Sequence, residues 1–593
     1  MNESAGGPPA VNPDDSSPGD AVSPSDADGP AGAARTGSAL RLLGRPARPV
    51  AAAGTAAADR IAQVRGRLIT PMPDDGIWGW VWPLLVTVFA GILRFMRLSS
   101  PDAVIFDETY YAKDAWSILK HGVEWNWVNP YPTTDPGYAN SQIIAGHFSQ
   151  HLFQACSGTG CGELLVQPEV GKLLIAVGEW MYGLTTLGWR FASAVFGTLA
   201  ILVMCRVARR MTRSTLLGCT AGLLLSLDGL EFVLSRTGIL DIFLMFFLLA
   251  SFAALVVDRD VSRAKLAELV VLRPGDASGP GLGIRKWRVI AGVMLGLACA
   301  SKQYAFWYVF AFAGLCIAWD LGARRTAGLR GYRRGAWVRD GKWLPLTLGV
   351  IPLVTYVLTW MNWLATNTGY DRDWAQQHGI NIPVISPLIS LYEYHKEMVQ
   401  FGVGLNAGHP YMSQPWDWFV ISRPVSFYWV GYSDSAGLHV WTDPNAVGPY
   451  ASEVLAIGNP AIWWISIPVI AFCLYWWATR RDWRAGTALL CIAAGWATWL
   501  PFVSRTKFYY YALEFEPFII ICIVLCLGLI LGPAAATLRR RATGAAIAGA
   551  YVLAVLILFW YFYPIMTGQI IPYSDWLSHM WYRGVLGPVR GWI

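Results

Sequence analysis

The chain has 593 residues, of which 54% are hydrophobic and only 14% are charged. A soluble domain carries about 25% charged residues, so this composition excludes an ordinary soluble protein and predicts an all-α protein that crosses a membrane many times. The net charge of +7 does not indicate a nucleic-acid partner, because the basic residues lie in short loops between apolar segments.

The N-terminal segment, residues 1–66, is rich in Ala, Gly, Pro, Ser and Asp and lacks apolar periodicity. Such a composition predicts a disordered tail. No basic-then-apolar segment precedes a cleavage site, so the first spanning helix is expected to act as an uncleaved anchor. We expect a membrane domain over residues 67–565 and a short tail over residues 566–593.

Apolar runs of sufficient length predict about eleven membrane spans, although several runs are short for a spanning helix. The predicted spans are residues 78–97, 190–206, 215–233, 238–256, 288–301, 303–319, 343–363, 460–478, 485–503, 509–531 and 543–563. This spacing leaves two long loops, residues 98–189 and residues 364–459.

Arginine and lysine residues gather in six regions that all lie on one face if there are eleven spans. These regions lie around residues 60–67, 206–213, 259–286, 324–339, 480–484 and 539–541. The positive-inside rule makes that face cytoplasmic, which places the N-terminus inside the cell and both long loops and the C-terminal tail outside the cell membrane. The apolar stretch 173–187 is then predicted to be an interfacial helix, because a further span would reverse the face of the 206–213 cluster.

Two adjacent carboxylates, Asp107 and Glu108, follow the first predicted span by about ten residues. Ionisable groups at the mouth of a membrane are costly to desolvate, so they are candidates for function, and a carboxylate there can act as a general base. The alternative is a solvated acidic pair in the first turn of a helix, a position that Asp and Glu favour.

The other unusual polar residues also map to the predicted outer ends of spans, and they predict one polar cavity at the outer surface. They are Arg190, Arg236, Asp241, Lys302, Gln303, Tyr304, Arg505 and Lys507. The cations suit a phosphate head group. As alternatives, Arg190, Arg505 and Lys507 could anchor the chain in the interface, and Arg236 with Asp241 could form a structural ion pair.

Asp228 and Glu231 lie within a predicted span and are costly there unless paired, so they should pair with Arg236 or line the cavity. Eight of the ten cysteines lie in apolar stretches, whereas Cys156 and Cys161 flank a polar loop segment. If that loop faces an oxidising compartment, these two can form a disulfide. Two thiols without partners are a weak signal for a metal site.

Several segments, taken in order, resemble the motifs of protein O-mannosyltransferases, which are membrane glycosyltransferases of the GT-C class. The segments are Phe106-Asp107-Glu108-Thr109-Tyr110-Tyr111-Ala112, Gly171-Lys172-Leu173-Leu174-Ile175, Gly188-Trp189-Arg190, Leu234-Ser235-Arg236, Leu240-Asp241-Ile242-Phe243, Ser301-Lys302, His409-Pro410-Tyr411, Pro415-Trp416, Arg423-Pro424 and Arg505-Thr506-Lys507-Phe508-Tyr509-Tyr510. The compact second loop resembles the actinobacterial members. The family's His-Pro-Pro is replaced here by Gln167-Pro168-Glu169-Val170, so no role is assigned to that motif.

The resemblance implies a GT-C fold and mannose transfer from a polyprenyl-phosphate mannose to Ser or Thr of a secreted polypeptide, by inversion, with the secretion translocon as a further partner. Asp107 is expected to be the base, with Glu108 positioning the acceptor or tuning its neighbour. The donor phosphate is expected to contact Lys302, Arg236, Arg190 and Arg505. Substrate contacts are expected from Tyr110, Asp241, Gln303, Tyr304, His409 and Lys507.

Two competing hypotheses remain at this level. A related GT-C enzyme could move another sugar, or use a lipid or glycan acceptor, with the same acids and cations. A transporter would be expected to show repeated halves and broken helices near the midplane of the membrane, and no repeated half is visible in this sequence. No cofactor is predicted, because a lipid-linked sugar brings its own leaving group, and a divalent ion at Asp107 and Glu108 is left open.

Overall fold

The computed structural model describes residues 50–127, 138–147, 161–164, 166–443, 447–533, 535–582 and residue 592. Its α-helices are α1 Val50–Leu68, α2 Trp78–Phe95, α3 Glu108–His121, α4 Tyr138–Ile144, α5 Glu169–Tyr182, α6 Thr186–Thr212, α7 Thr215–Ser226, α8 Gly229–Leu234, α9 Asp241–Leu272, α10 Lys286–Cys299, α11 Trp307–Thr326, α12 Tyr332–Arg334, α13 Ile351–Leu358, α14 Met361–Ala365, α15 Trp374–Gln377, α16 Ile385–Gly404, α17 Pro460–Arg480, α18 Trp483–Trp496, α19 Glu516–Leu531, α20 Leu538–Met566 and α21 Tyr573–Ser578.

Within the described residues, seven helical segments are long and apolar enough to cross a membrane. They are Trp78–Phe95, Thr186–Thr212, Asp241–Leu272, Gln303–Thr326, Tyr332–Leu358, Pro460–Arg480 and Leu538–Met566. Each of them overlaps one predicted span. The helix beginning at Asp241 is the most enclosed, with 78% of its apolar window buried, so it forms the centre of the bundle.

The other four predicted spans coincide with shorter or interrupted helices. Predicted span 215–233 is divided into α7 and α8 at Asp228, whose side chain accepts a hydrogen bond from the Leu230 amide and so begins a new helix. Predicted span 509–531 starts as a 3₁₀ helix at Tyr509–Glu514 before α19. The architecture is thus mostly helical, and the number eleven stays a prediction.

The expectation of disorder up to residue 66 needs correction. The chain is already helical from Val50, although residues 1–66 are predicted to be disordered. An alanine-rich run has high helix propensity, and the end of α1 packs Leu68 against Leu266 and Leu282. The predicted C-terminal tail is also built into the fold, because Trp592 is buried and its indole nitrogen donates to the Ile421 carbonyl at 2.7 Å.

A three-stranded antiparallel sheet joins the second long loop to that tail. Its strands are β1 Val425–Tyr432, β2 Tyr450–Ala456 and β3 Ile570–Pro572, in the order β1-β2-β3. A β-bulge falls between Ser426 and Tyr428, where a strand bends and twists more strongly. The sheet holds the start of β1 beside the loop that carries Asp107, as the contacts of Phe427 with Phe106 show.

The stretch predicted to be an interfacial helix forms the separate 14-residue helix α5. At 1.5 Å per residue it is about 21 Å long, too short to cross the roughly 30 Å hydrocarbon core. Val177, Trp180 and Met181 are exposed on one side of it, as expected of a helix that lies at a membrane surface.

Candidate active site

Asp107 occupies the N-cap position of α3, yet its side chain makes no capping hydrogen bond. An aspartate at this position ordinarily accepts a bond from an amide in the first turn of the helix. The half-buried carboxylate instead interacts with the Tyr510 hydroxyl, which favours its charged form.

Burial raises the pKa of Asp107 to about 6. The positive charge of Lys302 opposes this rise, and the negative charge of Asp241 adds to it. Desolvation of the charged form is the dominant cause. Near neutral pH such a carboxylate is largely ionised, and it can take up a proton from a hydroxyl group.

Glu108, the adjacent acid, has an entirely different environment. Its carboxylate is buried and accepts four hydrogen bonds, from Arg190 Nε at 2.7 Å, Arg190 Nη2 at 3.0 Å, the Ile105 amide at 3.0 Å and the Gly238 amide at 2.9 Å. These donors occupy both oxygens. Glu108 thus joins the loop between α2 and α3 to α6 and to the turn before α9.

Arg190 is buried with Glu108, and its remaining N–H groups donate to backbone carbonyls. Nη1 donates to Leu98 at 3.3 Å and to Pro101 at 3.0 Å, and Nη2 donates to Ala103 at 3.0 Å. Every nitrogen of this guanidinium is directed to the protein itself. Its geometry is that of a structural anchor for the loop between α2 and α3.

Lys302 lies between α10 and the span that begins at Gln303, and its ammonium is buried. It forms an ion pair with Asp241, the first residue of α9, with 2.8 Å between Nζ and Oδ2. Tyr304 donates from its hydroxyl to the other oxygen of Asp241 at 3.1 Å. The structure thus brings three of the predicted site residues into direct contact beside Asp107.

Aromatic rings surround the Lys302 ammonium. The ring centres of Tyr304, Tyr510 and Tyr511 lie 5.9, 5.7 and 5.4 Å from Nζ. Such rings attract a cation and exclude water from it. A buried ammonium held in this way is a fixed positive charge beside a carboxylate that has no guanidinium within ion-pair distance among the described residues.

Arg236 does not pair with Asp241. Its guanidinium donates to the carbonyls of Leu93, Arg94, Met96 and Arg97, at 3.0, 2.6, 2.8 and 3.0 Å. These carbonyls belong to the C-terminal end of α2, where helix carbonyls lack partners within the helix. Arg236 therefore caps α2.

The two acids of the interrupted third span find partners other than Arg236. Glu231 forms a fully buried ion pair with Arg94 of α2. Asp228 accepts hydrogen bonds from the Asn459 amide at 3.2 Å and the Trp463 indole at 2.9 Å. Both carboxylates hold helices together and do not line the cavity beside Asp107.

Arg505 is half-buried at the edge of the site. Its Nε donates to the Gly402 carbonyl at 2.5 Å and Nη1 donates to the Thr506 carbonyl at 3.0 Å. The guanidinium lies 5.1 Å from the ring centre of Trp499. Lys507 is fully buried, and its ammonium donates to the carbonyls of Phe502 and Val503, as expected of a structural cation.

The remaining predicted substrate residues surround the site at different depths. Tyr110 is exposed one turn after Asp107. His409 is half-buried, and its Nδ1 accepts from the Tyr411 amide at 3.2 Å. Gln303 directs its side-chain nitrogen to the sulfur of Met398 at 3.7 Å.

The structure describes one of the two cysteines that are predicted to form a disulfide. Cys161 is disulfide-bonded, but Cys156 lies outside the described residues, so the pairing of the two stays a prediction. The eight remaining cysteines are free thiols. In the described part of the chain, no group of three or more His, Cys, Asp or Glu side chains is arranged to hold a metal ion.

Sequence reasoning did not select the aromatic residues that enclose the site. Phe106, Phe427, Phe508 and Tyr510 lie against one another beside Asp107. The run of four aromatic residues from Phe508 to Tyr511 directly after a cluster of cations was the available signal. The fold brings that run against Phe106, in the loop between α2 and α3.

Comparisons with known proteins agree with this geometry. Residues 167–364 match the family model of dolichyl-phosphate-mannose-protein mannosyltransferase, and residues 388–585 match the C-terminal four-span region of protein O-mannosyltransferase. The polyprenol-phosphate-mannose–protein mannosyltransferase of Mycobacterium tuberculosis is 36% identical over 86% of this chain and 92% of its own length. The protein of that name from Corynebacterium glutamicum is 31% identical, over 87% of this chain and 95% of its own length.

A solved structure shows the same fold. The Saccharomyces cerevisiae Pmt1-Pmt2 complex bound to the sugar donor contains a chain that aligns with a TM-score of 0.60 at 14% identity, over 89% of this chain and 94% of its own. This likeness supports the GT-C fold and the multi-pass membrane architecture. By its motifs, its family models and its relatives, the chain belongs to the protein O-mannosyltransferase family of membrane glycosyltransferases.

Proposed function

We propose that this protein transfers mannose from a polyprenyl-phosphate mannose to Ser or Thr hydroxyls of secreted polypeptides at the outer face of the cell membrane. Its membership of the family and the names of its relatives support the donor, the sugar and the class of acceptor. The distribution of basic residues supports a cytoplasmic N-terminus and an external site. Acceptors must be unfolded to present a hydroxyl, so we also propose delivery by the secretion translocon.

The observation that carries the mechanism is the state of Asp107. Its carboxylate is half-buried, has a pKa of about 6, and is held by Tyr510 outside the cap position of α3. We propose that it takes the proton of the acceptor hydroxyl while the hydroxyl oxygen forms a bond to the anomeric carbon of mannose. The bond from that carbon to the phosphate oxygen breaks, and polyprenyl phosphate leaves with the electron pair.

Positive charge is needed where the phosphate departs. We assign this role to Lys302, which Asp241 and Tyr304 fix in place, assisted by Arg505 at the half-buried edge of the site. Arg190 and Arg236 also have predicted phosphate roles, but their N–H groups are directed to Glu108 and to backbone carbonyls. We therefore propose that these two arginines hold the site together.

A single base that acts opposite the leaving group gives one displacement and inversion at the anomeric carbon. The lipid phosphate leaves without protonation, so the proposed mechanism requires no metal ion. Addition of EDTA is accordingly expected to leave the rate of transfer unchanged.

The test is mannose transfer from polyprenyl-phosphate mannose to a Ser/Thr peptide by purified protein in detergent or liposomes. Wild type should transfer mannose, and Asp107→Asn should lose at least about 1,000-fold in kcat because it has no base. Asp74→Asn, which alters an exposed carboxylate outside the site, is the control and should keep full activity. If wild type transfers nothing to any peptide but does so to a lipid or glycan, the proposed acceptor is wrong.

A further inference from the structure

Phe106, the residue before the proposed base, has a backbone conformation that L-residues rarely adopt. Its φ angle is 47°, in the left-handed region, where a side chain crowds the adjacent carbonyl. A bulky aromatic residue persists there only when its surroundings fix it. The next residue, Asp107, returns to the right-handed helical region with φ −70° and ψ −7°.

The ring of Phe106 is fixed by four other rings. Phe427 stacks on it with ring centres 4.6 Å apart and an angle of 17° between the planes. Phe508, Tyr510 and His409 meet it edge-on, at 6.0, 5.8 and 6.4 Å, with angles between 87° and 90°. We call Phe106 with these four rings the aromatic box.

The box combines three separate parts of the chain. Phe106 belongs to the first outer loop, His409 and Phe427 to the second, and Phe508 and Tyr510 to the segment before α19. Tyr510 has two contacts in this region, because its ring lies against Phe106 and its hydroxyl interacts with the Asp107 carboxylate. The same side chain therefore holds the aromatic residue and the acid that follows it.

The alternative position for the Asp107 carboxylate is the cap of α3. An Asp at an N-cap gains a hydrogen bond from the first turn and favourable interaction with the helix dipole, which would lower its pKa and hold its oxygens. The side chain makes no such bond. Asp107 has helical angles, φ −70° and ψ −7°, whereas a capping residue is usually extended. The amides of Glu108 and Thr109 already donate to the carbonyls of Ile105 and Phe106, so the turn at Phe106 takes the place of a side-chain cap.

We propose that Phe106 is a positioning residue: the aromatic box holds it in the left-handed conformation, and this conformation keeps the Asp107 carboxylate out of the N-cap position and facing the acceptor. The inference rests on the proposed role of Asp107 as base. Phe106 itself touches neither donor nor acceptor in this proposal. It acts on the rate through the orientation and protonation of its neighbour.

The charged and titratable groups that face Asp107 come from four elements. They are Tyr111 on its own helix, Asp241 at the start of α9, Lys302 before the following span, and Tyr510 before α19. None of them is changed by substitution of Phe106. A shift in the titration of Asp107 in such a variant therefore reports a change in its position relative to these groups and to the end of the helix.

The experiment combines kinetics with a direct titration of the carboxyl group. Dicyclohexylcarbodiimide modifies protonated, buried carboxyl groups, and the modified residue is located by mass spectrometry across a pH series, with Asp107→Asn as the blank. In wild type, modification of Asp107 should fall with a midpoint near pH 6. In Phe106→Ala the midpoint should move down by about one pH unit or more as the carboxylate reaches the cap, and kcat should fall about 10- to 100-fold with donor KM unchanged.

Two further variants distinguish the effect of losing the aromatic ring from the effect of the backbone conformation at residue 106. Phe106→Gly lacks the ring but adopts the left-handed conformation without cost, so its midpoint should lie between those of wild type and Phe106→Ala. Phe106→Tyr keeps the ring and should keep the midpoint and most of kcat. Val384→Ala is the control, because Val384 is also left-handed at φ 67° but is exposed in the second loop. It should leave both readouts unchanged.

A Phe106→Ala protein that keeps the wild-type midpoint overturns the proposal, whether or not kcat falls, because a lower rate with an unchanged midpoint is a general structural effect. A shifted midpoint with unchanged kcat also overturns it. The modification experiment needs no substrate. If wild type fails to transfer mannose while Phe106→Ala still shifts the midpoint, the proposed function fails and the orientation of Asp107 by Phe106 stands.

Discussion

The two ends of the helical bundle treat buried carboxylates differently. At the arginine-rich end, Asp258 and Asp320 are paired with Arg285 and Arg288, at distances of 2.7 to 3.5 Å, and Arg324 is paired with Asp340 at 2.8 Å. At the other end, Asp107 is held by a tyrosine hydroxyl, and the nearby Lys302 is paired with Asp241.

This difference distinguishes structural acids from the proposed base. The carboxylates at the arginine-rich end are bound by guanidinium groups of the protein itself, whereas Asp107 has no guanidinium partner among the described residues and can offer its oxygens to a substrate hydroxyl. The contrast also exists within one dipeptide. Glu108 accepts four hydrogen bonds and holds the fold, whereas Asp107 has no such set of donors and is the proposed base.

Loss of the Lys302 ammonium should have the largest effect. Lys302→Met leaves Asp241 buried without its partner, which costs about 3–5 kcal/mol, and removes the charge proposed to stabilise the leaving phosphate, so kcat should fall at least about 100-fold. Unfolding in detergent and single-turnover kinetics on the folded fraction measure the two effects. Lys396→Met, at an exposed lysine, should change neither. Full activity in folded Lys302→Met would show that Lys302 does not stabilise the leaving phosphate.

Glu108→Gln tests the other half of the dipeptide. The substitution leaves the buried Arg190 guanidinium without its counter-charge, which should lower the free energy of unfolding by about 3–5 kcal/mol. Activity per folded molecule should fall much less than in Asp107→Asn. If Glu108→Gln is fully stable but inactive, Glu108 takes part in chemistry and the distinction between the two acids is wrong.

Arg236→Lys tests whether this cation caps α2 or binds the donor. A lysine cannot reproduce the four hydrogen bonds to carbonyls, so the free energy of unfolding should fall by about 1.5–3 kcal/mol. Donor KM should remain within two-fold of wild type, because the proposed phosphate contacts lie elsewhere. A ten-fold rise in donor KM without loss of stability would show that Arg236 binds the donor.

The smallest expected effect is an increase in stability. Because burial raises the pKa of Asp107 from 3.8 to about 6, the folded state binds more protons than the unfolded state between these values. Its stability therefore falls as pH rises through that interval and stays lower at pH 7. Asp107→Asn removes this cost, so the inactive variant should have a slightly higher Tm than wild type at pH 7 and the same Tm near pH 4. A lower Tm at pH 7 would show that the carboxylate stabilises the fold.

Much of this arrangement could be predicted from the sequence. The motif residues Asp107, Asp241 and Lys302 stand at predicted ends of spans, so the alternation of apolar segments was enough to place them on one face. The placement did not identify the ion-pair partner of Asp241, because the sequence offered Arg236 and the structure pairs Asp241 with Lys302. The family resemblance, now supported by relatives at 31–36% identity, set the expected chemistry.

The sequence could not distinguish a cation that binds substrate from one that binds backbone. Arg190 and Arg236 look like phosphate ligands in the sequence, but their partners are main-chain carbonyls of residues 93–103 and the carboxylate of Glu108. Which carbonyls lie within reach depends on where α2 ends and how the loop after it turns. The sequence also could not identify Phe106 as a positioning residue, because its proposed role depends on its φ angle and on contacts with rings from distant segments.

The most direct test of a reactive Asp107 is the pH dependence of kcat/KM for the acceptor peptide, measured from pH 4.5 to 8, because this ratio reports the pKa of the free enzyme. Wild type should lose activity as pH falls, with a midpoint near 6 that follows the protonation of Asp107. Asp107→Glu should retain some activity with a displaced midpoint, since it keeps a carboxylate in altered surroundings. A rate that is flat across pH 6 in wild type, or a midpoint that is unchanged in Asp107→Glu, would contradict the assignment of Asp107 as the base.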